Sequence, residues 1–137
     1  MFLRVLRSPD GTLPQVGRQG DGLYANITPT NFNAEADATL TVAQLAGGSI
    51  NQGLTLTSDV IYTLPTAASI AAAWTTMDVG DAFTFFVTNS QAAAFDVVIA
   101  VNTGITAVGT NNNLSVAPQS TRVFTLVKTA AATFSLY

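Results

Sequence analysis

Cysteine and histidine are both missing from the 137 residues of this chain. Their absence removes disulfide frameworks, thiolate and imidazole metal ligands, cysteine nucleophiles and imidazole bases. Charge is scarce as well: Asp, Glu, Lys and Arg make up 9% of residues, against roughly 25% in an average soluble domain. The net charge is −3, and Arg122 and Lys128 are the only basic residues after Arg18. No cationic stripe is available to neutralise phosphates, so nucleic acid is not an expected partner. Nor is a membrane, because no stretch approaches the roughly 18 continuous apolar residues of a spanning helix. The best candidate, "AAAFDVVIAV", is short and broken by Asp96. The opening "MFLRVLRSPDG" is interrupted at Arg4 and Arg7 and closed by Pro9, which makes a poor secretory leader.

Hydrophobic residues reach 48%, so solubility rests on Thr, Asn, Gln and Ser. A skin of that kind offers little charge repulsion against association. The composition therefore points to a subunit of an assembly.

The chain divides into two parts. Residues 1–35 are dense in Pro, Gly, Asn and Asp without a sustained period, which opposes both helix and ladder pairing. They are expected to form an extended N-terminal arm, with Phe2, Leu3, Arg4, Val5, Leu6, Arg7 and Arg18 as its partner-binding residues. A disordered leader and an arm wrapped on its own domain are the alternatives. Residues 36–137 alternate with period two in about nine short segments, among them "TLTV", "GLTLTS", "DVIYTLP", "DAFTFFVTN", "AFDVVIAV", "TRVFTLVK" and "ATFSLY". Turn formers separate them. An all-β fold follows, a β-sandwich or jelly-roll-like domain with one short helix.

That helix is expected after Pro65, with Thr66 or Thr63 as its cap and Ala67, Ile70, Ala71 and Trp74 on one face. Phe86 and Val98 break the polar face of their strands, and two-sided apolar strands imply cover by another element or another subunit. Both are candidates for subunit contact. "GTNNN" suits a hairpin tip, and its Asn111, Asn112 and Asn113 are candidates for contact through an exposed loop. Asp78 and Asp81 flank "VG" as turn residues, without the further ligands of a calcium loop. Trp74 and Tyr62 belong in the core. Ser58, Ser90 and Ser120 have no histidine to activate them, and Lys128 stands without a supporting motif. No catalytic residue, metal site or cofactor is expected.

The segments "ATLTVAQLAGGSINQG", "YTLPTAASIAAAW", "VGDAFTFFVTN" and "NTGITAVGTNNNLSVAPQSTRVFTLVKTAAATFSLY" together resemble the β-rich capsid decoration, or cement, proteins of tailed bacteriophages and related head-fibre or spike modules. The resemblance covers about residues 38–137. It implies a non-enzymatic virion protein, made in the bacterial host cytoplasm, that sits on the capsid exterior as a homotrimer and bridges major capsid subunits. The alternative it leaves open is a receptor- or carbohydrate-binding module that contacts a host glycan.

Overall fold

The computed structural model describes residues 27–109 and 114–137. The arm residues Phe2, Leu3, Arg4, Val5, Leu6, Arg7 and Arg18, and the loop residues Asn111, Asn112 and Asn113, lie outside the described residues. In chain order the elements are β1 (Thr30–Phe32), β2 (Ala38–Thr39), α1 (Val42–Ala46), β3 (Ser49–Gln52), β4 (Val60–Thr63), α2 (Ala67–Ala73), β5 (Ala82–Asn89), β6 (Val97–Ala100), β7 (Ile105–Ala107), β8 (Ser115–Val116), β9 (Ser120–Ala130) and β10 (Thr133–Leu136). They form a six-stranded sheet ordered β1-β3-β5-β9-β10-β7 and a four-stranded sheet ordered β2-β4-β6-β8.

The chain winds between these sheets. Successive strands from β1 to β6 alternate from one sheet to the other, and within each sheet they pair in parallel: β1 with β3, β3 with β5, β2 with β4 and β4 with β6. A jelly roll pairs antiparallel strands instead, so the connectivity here is different. Antiparallel pairing enters only late, where β9 pairs with both β5 and β10, and β8 with β6.

An internal repeat underlies the winding. Thr39-Leu40 lies alongside Thr63-Leu64, with Leu40 N–H donating to the Thr63 carbonyl at 2.8 Å and both leucines buried. A threonine N-cap and a short helix follow each time. Thr41 Oγ1 accepts from Gln44 N–H and Gln44 Oε1 accepts from Thr41 N–H, a complete capping box. Thr66 Oγ1 accepts from Ser69 N–H at 3.2 Å. The fourth residue of each helix, Leu45 or Ile70, is fully buried. A third passage, at 101–104, forms no helix. Asn102 Nδ2 donates back to the Leu64 carbonyl, and Gly104, at φ +81°, turns toward β7. A Cβ at Gly104 would meet that of Ala67 at 2.6 Å, so both backbone angle and space require glycine there.

The inward faces of both sheets share one core. Phe83, Phe85 and Val87 from β5 meet Phe124 and Leu126 from β9, facing Val60, Tyr62, Val97 and Ile99 of the other sheet. Phe85 and Phe124 stack at 5.5 Å, and Phe32 stacks on Tyr62 at 4.4 Å across the two sheets. Trp74 is buried at the end of α2 against Phe83, at 4.7 Å. Three buried amides close the end of the core where the chain leaves the six-stranded sheet. Gln52 Nε2 donates to the Ala34 carbonyl, and Gln52 Oε1 accepts from Leu54 N–H. Asn89 Nδ2 donates to the carbonyls of Phe95 and Val116, and Gln91 Oε1 accepts from Leu56 N–H.

Four expectations are corrected. There are two helices rather than one: "TLTV" is strand only to Thr39, because the Thr41–Gln44 capping box starts α1. "GLTLTS" is not a strand. Leu56 is buried but Leu54 is exposed, and the strand lies one step earlier at Ser49–Gln52, where it pairs with β5. The boundary at 35 falls inside the β domain, since Thr30–Phe32 pairs with β3. Finally, β7 and β8 do not pair with each other as a hairpin: they belong to different sheets.

Replacing Asn89 by Leu removes the amide donor to the Val116 carbonyl, while the Phe95 carbonyl keeps its second donor, Gln91 Nε2. At about 1–3 kcal/mol for an orphaned group, the variant is expected to lose roughly 1–3 kcal/mol in chemical denaturation. Thr66→Ala, at an exposed cap, is expected to lose about 1 kcal/mol.

Candidate functional site

Four of the six acidic residues in the described part, Glu35, Asp37, Asp59 and Asp81, accept from backbone N–H groups. Asp37 Oδ1 accepts from Ile61 N–H and Asp59 Oδ1 from Asp96 N–H, both at 2.8 Å, so each carboxylate satisfies the strand alongside it. Asp81 Oδ2 accepts from Asp78 N–H at 2.8 Å within the turn that Gly80 makes at φ +95°. The turn reading of Asp78 and Asp81 therefore holds. Glu35 accepts from Thr57 N–H and from the hydroxyls of Thr57 and Ser58, at 2.8–3.0 Å. Among the described residues no group of three or more acidic side chains is placed to hold a metal ion.

The serines and the lysine are likewise engaged. Ser90 Oγ donates to the Gln52 carbonyl and Ser120 Oγ to that of Ala117. Lys128 Nζ donates to the Met77 carbonyl at 2.7 Å. Arg122 donates to the Ser115 carbonyl and lies over the Phe124 ring at 4.9 Å. On β9, Arg122 is opposite the buried Val87, so its side chain lies on the inward side of the sheet.

The outward face of the six-stranded sheet is the consequence. Its in-register rows run Thr84–Thr125, Ser49–Phe86–Val123 and Asn31–Asn51–Thr88–Thr121. None of these residues is charged. The threonines pair across strands, Thr84 with Thr125 at 3.2 Å and Thr88 with Thr121 at 2.9 Å. In their midst Phe86 is 37% exposed and Val123 52% exposed. The four-stranded sheet has a smaller counterpart: Ile61 lies beside Val98, with Ile61 40% exposed and Val98 half-buried. Phe86 and Val98 thus point outward, as the break in alternation indicated, but on opposite sheets. Sequence reading missed Val123, whose outward position follows only from its pairing with Phe86.

Tyr62 and Trp74 are core residues. Burial, aided by the Asp37 carboxylate, pushes the Tyr62 phenol up to about 12. Its hydroxyl has no hydrogen-bond partner among the described residues.

No family model matches the chain, and comparison with curated proteins and with solved structures finds no match.

Two measurements follow from this geometry. Tyr62→Phe removes a buried, unpartnered hydroxyl while keeping the stacked ring, so its thermal midpoint is expected to equal or exceed that of the parent. For Glu35, the hydroxyls of Thr57 and then Ser58 hold the carboxyl below its ordinary value of 4.5. A lowered value means stabilisation that is complete above pH 4.5 and is lost as pH falls through the folded-state value. Glu35→Gln is therefore expected to be less stable than the parent at neutral pH, with the gap closing in melts taken at progressively lower pH.

Proposed function

We propose that this chain is a non-enzymatic structural protein of a phage particle, a decoration or cement protein. In this reading it associates as a homotrimer on the capsid exterior and bridges major capsid subunits. The phage setting rests on the resemblance of residues 38–137. The observation that carries the associative part is the uncharged outward face of the six-stranded sheet, with Phe86 and Val123 exposed at its centre.

The physical case is one of low opposition. Burying that face desolvates threonine hydroxyls, which are already paired across strands, and two apolar side chains. No ion on its rows has to be stripped of water. Both described cations turn away from it and spend donors on backbone carbonyls. A copy of the same face meets no like charge, so a symmetric assembly is free of the repulsion that usually keeps β surfaces apart. A subunit that binds only the assembled shell stabilises that shell by its binding free energy.

The test is the native mass of the purified chain together with Val123→Lys, which sets a cation into each copy of the face. The parent is expected to run as a trimer and the variant as a folded monomer with an unchanged circular dichroism spectrum. A monomeric parent at high concentration, or a variant trimer as tight as the parent's, would overturn the associative reading. Occupancy of the parent on phage heads, seen in density of the particle, tests the capsid assignment separately.

A further inference from the structure

Beside the apolar pair, toward the β1 edge of the same sheet, the outward face opens into a shallow depression. Its volume is about 450 Å³, and it is lined by Asn31, Asn33, Asn51, Gly53, Thr88 and Ser90. That size is within the ~300–1,000 Å³ of small-ligand sites. Its floor is built by register. Asn31, Asn51 and Thr88 form one row across three parallel strands. Asn33, Gly53 and Ser90 continue those strands two residues further. Gly53 supplies the gap: a Cβ there would reach Asn33 Oδ1 at 3.5 Å and Ser90 Oγ at 3.9 Å.

Much of the hydrogen-bonding capacity around the depression is unused among the described residues. Asn51 Nδ2 donates to Asn31 Oδ1 at 3.0 Å, and Ser49 Oγ donates to Asn51 Oδ1 at 3.2 Å. That pattern leaves the Asn31 amide N–H groups and the second N–H of Asn51 available. The Asn33 side chain makes no hydrogen bond with the described residues, and it is exposed. Ser90 Oγ donates to the Gln52 carbonyl and keeps its acceptor capacity.

The chemistry of the lining selects the ligand. Among the described residues no charged side chain lines the depression, so neither an anion nor a cation finds a counter-charge there. An apolar ligand would have to bury several amides and hydroxyls without partners, which is unfavourable. A ligand rich in neutral hydroxyls, each both donor and acceptor, matches side-chain amides and hydroxyls that are also both. We infer that the depression formed by Asn31, Asn33, Asn51, Gly53, Thr88 and Ser90 is a binding site for a neutral saccharide. The depression shares the row Asn31–Asn51–Thr88 with the associative face but uses neither Phe86 nor Val123, so saccharide binding can be read in a chain that does not associate.

The test uses methyl glycosides of glucose, galactose, mannose and N-acetylglucosamine, titrated into the full chain and followed by amide chemical shifts, with sialyllactose as the anionic comparison. At least one neutral glycoside is expected to bind saturably, with shifts concentrated at residues 31–33, 51–53 and 88–90. Asn33→Ala and Gly53→Val, the second filling the floor, are each expected to weaken binding by about tenfold or more, the scale of one or two lost hydrogen bonds. Asn33→Ala changes an exposed side chain with no partner among the described residues, so it keeps the test decisive should Gly53→Val disturb the fold. Absence of binding by all four glycosides at tens of millimolar would overturn the proposal. So would tighter binding of the sialylated sugar, shifts centred on another part of the surface, or undiminished binding in Asn33→Ala. Loss of the trimer in Val123→Lys with saccharide binding retained would separate this site from the associative face.

Discussion

A chain that winds between two sheets must carry its backbone across the end of the core at every turn, and these crossings bring some peptide groups under partial or full cover from water. Three amide side chains meet that constraint here. Gln52, Asn89 and Gln91 are buried, and their bonds go to the crossings at Ala34, at Leu54 and Leu56, and at Phe95, with one more to Val116 at β8. Gln52 and Gln91 each use both a donor and an acceptor, so one side chain holds two crossings at once. Hydrocarbon side chains would pack as well and leave those peptide groups orphaned. The register of β3 and β5 places Gln52 beside Asn89, and the two sheets close around them.

At the opposite end the same problem is solved by short helices. The first two returns to the six-stranded sheet each begin with a threonine cap and bury a large aliphatic residue, Leu45 or Ile70, over the core. An isolated helix of five or seven residues is unstable in water, so these helices exist through capping and burial. The alanine-rich segment after Pro65 is therefore the second copy of a device already used after Leu40. Its larger size fits its further task of seating Trp74 against Phe83.

How much of this was legible depends on the range of the signal. Local alternation located Phe83, Phe85 and Val87, and the Thr66 cap located α2, because both are written in adjacent residues. The parallel winding was not legible in that way. Its partners are separated by between 20 and 37 residues, as in Thr30 with Ile50 and Val60 with Val97, and period two looks alike in parallel and antiparallel strands. Two signals were nevertheless present: the Thr41–Gln44 capping box, hidden inside an apparently alternating "TLTV", and the repeated Thr-Leu pair ahead of each helix. Together they mark a repeat, and a repeat of strand, strand and helix implies parallel stacking. Leu54 and Leu56 misled because alternation was counted without asking which face was covered. For the depression, Asn31, Asn33 and Asn51 carry no local signature, since only the pairing of β1 with β3 brings them together.

The scarcity of charge acquires a structural meaning from where the few charges go. In the described part the carboxylates of Asp37, Asp59, Asp81 and Glu35 accept backbone N–H groups, and Arg122 and Lys128 donate to backbone carbonyls. Ions are thus spent at the ends of strands and in turns, where peptide groups lack ladder partners, and the broad outward face of the six-stranded sheet is left to threonine, asparagine, Phe86 and Val123. A face of that composition binds through shape and hydrogen bonds rather than by long-range attraction, and association through it should depend little on ionic strength. The same sheet then offers two different surfaces side by side: an apolar pair suited to another flat neutral face, and an amide-lined hollow suited to neutral hydroxyls. Both arise from one choice, the use of charge to hold the chain's own backbone instead of to decorate its surface.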